Sequence, residues 1–475
     1  MVQGLITMER PTRRSRRDVK EMMAFSFLSG VLLLIVLSSG CAHIQYEDKG
    51  RNTYAYGVIA EKENRIDDAI SYYRETINKA GEDSYLYGKL GNLYLRKQDI
   101  SSARKCFFRA VRLEPKRQEA LFGLGLSYLL EKNYNLAALY MERGLALDKE
   151  NHSARMILCD LYAGMNRLQD AARHYQYLIE VFPENYLFHY NYGNILERLG
   201  KNREAEEEYT KSVELAHFFW KGYFSLGLLY DKLGMKKKSI EFFEKAVSLN
   251  PSEIISYSLL ASAYYSEGNK EKAKHYIEEA IRNGINSAQF YQFLGIIYMD
   301  ESAYDKAEAV FRKSIEIEDI SGTRFYLGVL YDKTGEREKM EAEMKKAIEL
   351  DHNNAAALNY LGYTYLIQDR NIQEAYKLIK KACEIEPDNG AFLDSLGWAY
   401  YKMGKYHLAV KYLEKAVEKE KDAEVYEHLG YVYLKLKEYE RALLWFIKAY
   451  EINRKQDIQK IMDEIRKHIL ENGTD

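Results

Sequence analysis

Ser84 to Arg117 reads SYLYGKLGNLYLRKQDISSARKCFFRAVRLEPKR. Its first half sets Tyr87, Leu90, Leu93 and Tyr94 three and four residues apart, the spacing of an apolar stripe on a helix. The second half, from Ile100 to Leu113, repeats that pattern with Ala103, Phe107, Ala110 and Val111. Gln98-Asp99 makes a short polar turn between them, and Pro115, which has no amide to donate, ends the second helix. Two short helices cannot cover both of their apolar faces alone, so the segment implies neighbours of its own kind. They are present. Gly91/Tyr94 returns as Gly125/Tyr128, Gly227/Tyr230 and Gly295/Tyr298, at whole multiples of 34 residues. Alanine keeps the same phase at Ala69, Ala103, Ala137, Ala171, Ala205, Ala273 and Ala307. Of the five prolines, Pro115, Pro183, Pro251 and Pro387 also differ by multiples of 34. A fixed period of this size predicts a stack of helix pairs.

With Ser84 as position 1 of a unit, position 8 falls at Gly57, Gly91, Gly125, Cys159, Gly193, Gly227, Ala261, Gly295, Gly328, Gly362, Gly397 and Gly430, so glycine holds it in ten of twelve units. Tyrosine three residues later fails only at Ala60 and Leu196, and alanine at the start of the second helix only at Ser239 and Met340. A missing Cβ at position 8 lets the second helix approach closely, and the alanines are small where helices meet. This pattern resembles the tetratricopeptide repeat (TPR) family over Thr53 to Asn453. The resemblance implies an all-α, right-handed superhelical solenoid of about twelve helix-turn-helix repeats, over residues 53–456. Residues 457–475 form a capping helix and tail, with Ile458, Ile461, Ile465 and Ile469 on one face. Gly295 to Gly328 and Gly397 to Gly430 span 33 residues, and one residue is added before Ala375; turns are expected to absorb these slips.

Residues 1–40 are of another kind. Arg10, Arg13, Arg14, Arg16, Arg17 and Lys20 precede an uncharged apolar run, Met22 to Leu37, and then Ser38-Ser39-Gly40-Cys41-Ala42. That order describes a secretory signal, and the run is short for a membrane span. Cysteine after Ser-Gly resembles the bacterial lipoprotein box, although the leucine that family prefers three residues before the cysteine is here Ser38. The resemblance implies a signal peptide over 1–40, lipidation of Cys41 and a short linker over 41–52. Ala42 then favours the outer membrane, with the solenoid in the periplasm. The alternative is an uncleaved signal-anchor with the repeats in the cytoplasm. Cys106, Cys159 and Cys383 favour that alternative, since they fall in repeats too far apart to pair and are awkward as free thiols in an oxidising compartment.

The chain has 69 Lys+Arg against 71 Asp+Glu, a net charge of −2, which gives no case for a nucleic-acid partner. It lacks the P-loop, H-E-x-x-H, G-x-S-x-G and C-x-x-C patterns, and its histidines have no metal-ligand spacing. Twelve repeats use up the chain. No enzyme, cofactor or metal is therefore expected. Carboxylate runs such as Glu204-Glu206-Glu207-Glu208 read as solvated helix faces.

In TPR stacks the first helix lines the concave face through positions 2, 5, 9 and 12. Those positions single out Tyr190, Asn194, Phe224, Tyr265, Tyr363, Trp398, Tyr401 and Tyr431 as candidate groove residues, with Asn359, Asp394 and Glu427 alongside the later ones. Tyrosine and tryptophan are the usual anchors of binding surfaces. A chaperone-tail clamp is not expected: Asn194 holds one of its places, but Tyr190, Ser225 and Ile255 hold others. The resemblance to bacterial envelope TPR lipoproteins implies a protein-binding scaffold supporting assembly or export of an envelope component, polysaccharide or pilus. The alternative is an adaptor regulating a membrane enzyme from the cytoplasmic side.

Overall fold

The computed structural model describes residues 48–472, so the expected signal peptide and Cys41 lie outside the described residues. Among these residues every regular element is an α-helix, from Asp48–Lys62 to Gln456–Asn472. The helices alternate as antiparallel pairs, the first and second helices of repeats 1 to 12. Two compact units divide within the helix Lys236–Leu249, one ending at Phe242 and the other beginning at Phe243. The first unit holds repeats 1 to 5 and the first helix of repeat 6. The second holds repeats 7 to 12 and the last helix.

Each pair turns at position 15, always with positive φ. Glycine supplies it at Gly200, Gly234, Gly268, Gly335 and Gly404, while Asn64, Gln98, Lys132, Asn166, Ser302, Asp369 and Lys437 adopt it with φ between 50° and 62°. The added residue in repeat 10 is absorbed in this turn by a second left-handed position, Asn371 at φ 51°. A side chain in that region costs about 1–2 kcal/mol over glycine at its upper end. Lys132→Gly and Lys437→Gly are each expected to raise stability, by about 1 kcal/mol, measurable as higher urea midpoints.

Position 8 meets position 24 of the same repeat. A Cβ on Gly91 would lie 2.6 Å from the Phe107 ring, and one on Gly295 would lie 2.3 Å from Phe311. Tyr73, Tyr209, Leu413 and Phe446 fill the same slot over Gly57, Gly193, Gly397 and Gly430. Phe107 also faces Gly123 of the next repeat, where a Cβ would come within 2.4 Å. One ring thus wedges between two consecutive first helices.

Eight of the ten position-11 tyrosines are buried, Tyr128 and Tyr298 being half-buried, and the hydroxyls of six tie repeats together. Tyr162, Tyr230, Tyr264, Tyr331, Tyr365 and Tyr433 donate to Glu142, Glu206, Glu244, Glu308, Glu341 and Glu414 of the preceding second helix, at 2.5–3.1 Å. This corrects the reading of Glu206 and Glu208 as solvated, while Glu204 and Glu207 are exposed as expected. Glu206 accepts from Tyr230, and Glu208 accepts from buried His189 at 2.7 Å. A phenol that must leave water finds an ionised acceptor, which is a strong hydrogen bond.

The last helix, Gln456–Asn472, buries Ile458, Met462 and Ile465 against the second unit. Cys106, Cys159 and Cys383 are free thiols. Burial pushes the thiols of Cys106 and Cys383 up to about 11 and about 12, and Cys159 higher still. Little reactive thiolate forms at any of them.

Candidate interaction surface

The eight groove candidates do not form one site. Tyr190, Asn194 and Phe224 belong to the first unit, the other five to the second. Tyr190 packs edge-on against Phe219, with ring centroids 5.0 Å apart. Asn194 donates to the Tyr190 carbonyl at 3.0 Å and accepts from the Tyr209 hydroxyl at 3.0 Å, so its amide serves the fold. Phe224 lies 6.2 Å from Trp220. Tyr265 is buried, packs on Phe293 and donates to Asp300.

The remaining four converge. Helices Ala355–Ile367, Gly390–Lys402 and Ala423–Lys435 are the first helices of repeats 10, 11 and 12. Asn354, Asn389 and Asp422 cap them by accepting from backbone amides one turn in, which fixes where each helix begins. Trp398 of repeat 11 stacks on Tyr401 at 4.4 Å and on His428 of repeat 12 at 4.0 Å. Tyr431 tilts toward Trp398 at 6.2 Å and stands edge-on to Phe446 at 5.2 Å. Tyr363 of repeat 10 passes repeat 11 altogether. Its hydroxyl donates to Glu424 of repeat 12, and its ring lies 6.4 Å from that of His428. A contact that skips a repeat requires the open faces of the three helices to curve inward here.

Beneath this bridge lies a buried histidine–aspartate pair. Nδ1 of His428 donates to the Asp394 carboxylate at 2.8 and 3.1 Å, and the two side chains are 7 % and 9 % exposed. Burial alone would lower the imidazole's pKa, but the Asp394 charge and hydrogen bond outweigh it and raise it, with Glu424 and Glu427 adding to the effect. Glu427 takes an ammonium from Lys455 at 2.8 Å. Burial raises the Tyr363 phenol, and the Glu424 charge raises it further. Asn359 Oδ1, on the same face, is buried without a hydrogen-bond partner among the described residues.

The sign of the His428 shift sets a pH dependence. A histidine raised above its unfolded value of about 6.5 stabilises fully below that pH and loses this contribution as pH rises through its native value. Thermal melts from pH 6 to pH 9 should therefore show the native chain losing its stability margin over His428→Gln as pH rises.

His428 is the residue of this candidate surface that sequence reasoning passed over. Its signal was the repeat itself: it stands 34 residues after Asp394, at adjoining places in consecutive repeats. Among the described residues no group of three or more His, Cys, Asp or Glu is placed to hold a metal ion, and no helix is long and apolar enough to cross a membrane.

Comparison with known families agrees with this architecture. One sequence model of the tetratricopeptide repeat matches residues 89–152, 158–217, 258–320 and 395–457, more than half of the chain. The chain is a tetratricopeptide repeat protein. Other TPR models match 221–253, 324–354 and 343–376. Its TPR segments are 30 % identical over 104 residues to a BBSome complex member BBS4 homolog of Drosophila melanogaster, covering 22 % of this chain and 21 % of that one. They are 21 % identical over 203 residues to N-alpha-acetyltransferase 16, NatA auxiliary subunit, of Homo sapiens, covering 41 % and 22 %. The TPR chain thus spans about a fifth of the length of these curated relatives. Similar solved structures include Naa15/Naa10 bound to HypK-THB (TM-score 0.44, 15 % identity, 84 % of this chain and 68 % of that). The APC/C hetero-tetramer Cut9-Hcn1 is another (TM-score 0.45, 14 % identity, 88 % and 96 %).

Proposed function

We propose that this chain is a non-enzymatic scaffold that holds a protein or peptide partner on the concave face of repeats 10 to 12. The observation that carries this is the Tyr363–Glu424 bridge over Trp398, which gathers half-buried rings and carboxylates from three repeats into one inward-curving surface. Trp398, Tyr401 and Tyr431 keep part of their area open to solvent. Large rigid rings with partly open faces bury much surface at small entropic cost, which suits them as anchors. An auxiliary subunit and a complex member among the relatives fit a non-catalytic role.

Within this proposal Cys41 is acylated and the repeats face the periplasm, close to an outer membrane, supporting assembly or export of a surface polysaccharide or pilus. The lipoprotein-box resemblance of Ser39-Gly40-Cys41 supports that address. The cytoplasmic adaptor is favoured by the three unpaired thiols. Their raised pKa values weaken that argument, because a protonated, buried thiol resists oxidation.

Two experiments test the proposal. A photo-crosslinking residue at position 431 should trap a partner in cells, whereas one at position 207, on an exposed second-helix face, should not. Equal trapping at both would reject the surface. Mass spectrometry of the mature chain should find diacylated Cys41 at its start; an intact segment from Met22 to Leu37 would reject the lipoprotein address.

A further inference from the structure

We infer that the partner presents an extended segment bearing lysine or arginine to the concave face of repeats 9 to 12. The inference rests on the scaffold reading above and narrows it to one chemical class.

Charge distribution carries the argument. At positions 2, 5, 9 and 12 of the first helices in repeats 7 to 12, no lysine, arginine or histidine occurs, whereas Asp332, Asp394, Glu424 and Glu427 do. The chain as a whole is nearly balanced, with 69 basic and 71 acidic side chains, so this one-sided stripe is a local property of the face. Asp394 is bonded to His428 and Glu427 is paired with Lys455, which leaves Asp332 and Glu424. Asp332 and Glu424 receive only phenols, from Tyr360 at 2.6 Å and from Tyr363, and neither forms an ion pair among the described residues. A phenol satisfies lone pairs and leaves the charge standing.

The chain itself shows how a cation is received on this face. Lys455, on the connection before the last helix, puts its ammonium 2.8 Å from Glu427. That hydrogen bond first, and then the charges of Glu427 and Glu424, raise its pKa. At the other end, Lys402 sits 5.5 Å over the Trp398 ring while paired with Asp369 at 2.5 Å. Carboxylates beside aromatic faces are a setting in which lysine and arginine are held by both charge and ring quadrupole.

The spacing of the first helices suits an extended partner. The amides within a helical partner are already used, whereas an extended segment presents free N–H groups along its length. First helices about 8–10 Å apart and an extended rise of about 3.3 Å per residue allot roughly three residues to each repeat.

Fluorescence anisotropy on the full chain, with labelled nine-residue peptides that are lysine/arginine-bearing, glutamate-bearing or uncharged, tests the inference. The basic peptide should bind at least tenfold tighter than the uncharged one and weaken as salt rises. Glu424→Gln/Glu427→Gln, and separately the exposed Asp332→Asn, should weaken it, the double variant at least tenfold. Glu204→Gln/Glu207→Gln, on another face, should change it less than twofold. Equal binding of basic and uncharged peptides, or equal losses in the two glutamine double variants, would overturn the inference. If no peptide binds tighter than the uncharged one while crosslinking at position 431 still traps a partner, the basic-segment inference fails alone. If that crosslink fails too, the scaffold surface fails with it.

Discussion

Asp394→Ala is expected to destabilise repeats 10 to 12 by about 3–5 kcal/mol. The carboxylate and His428 are both almost wholly buried and meet at 2.8 Å, so removing one leaves the other without a partner in a place water hardly reaches. The loss should be local. In a stack each repeat leans on its neighbours alone, so damage in one stretch appears as a separate early transition. Calorimetry of the variant should show part of the heat moving to lower temperature while the rest stays in place. Replacing both members, as in Asp394→Met/His428→Leu, should recover much of the loss, because the pair's desolvation cost disappears with it. A single uniform shift in the alanine variant would mean that the pair is not a local strut. No shift at all would mean that it is not buried as described.

Phe107→Ala is expected to cost about 3–5 kcal/mol in the first unit. The ring is fully buried and occupies the space that side chains at Gly91 and Gly123 would need, so its removal empties a slot shared by two repeats. Gly123→Ala fails in the opposite sense. Its Cβ would fall 2.4 Å from the ring, and overpacking costs about 1–3 kcal/mol. Combining the two should be less harmful than the sum, since the new methyl enters the space left by the ring. Urea unfolding of the two single variants and the double variant measures this coupling directly. Strict additivity would show that the glycine and the ring do not share the slot.

The repeat architecture was readable because its marks are steric and recur. Glycine at position 8, alanine at the start of the second helix and proline after it each answer to one contact, and that contact is the same in nearly every unit. The turn was half readable. Gly200 and Gly404 announce a left-handed residue at position 15, but Lys132 and Lys437 adopt the same conformation without any sign of it in their side chains. The groove was less legible. A position number says which face a side chain leaves from and nothing about where a long side chain ends. Tyr265 and Tyr363 hold similar places on paper, yet one reaches Asp300 on the next repeat and the other crosses a repeat to Glu424. The glutamates on the second helices looked solvated because each helix was read alone, and their tyrosine partners lie on the next repeat.

Hydrogen–deuterium exchange of the full chain, with and without the lysine/arginine-bearing peptide, tests the central claim most directly. Added protection is expected over residues 321–333, 355–367, 390–402 and 423–435, where the peptide buries the concave face, with the first unit unchanged. Protection confined to other helices, or none at a concentration where the peptide is bound, would contradict the assignment of function to that face.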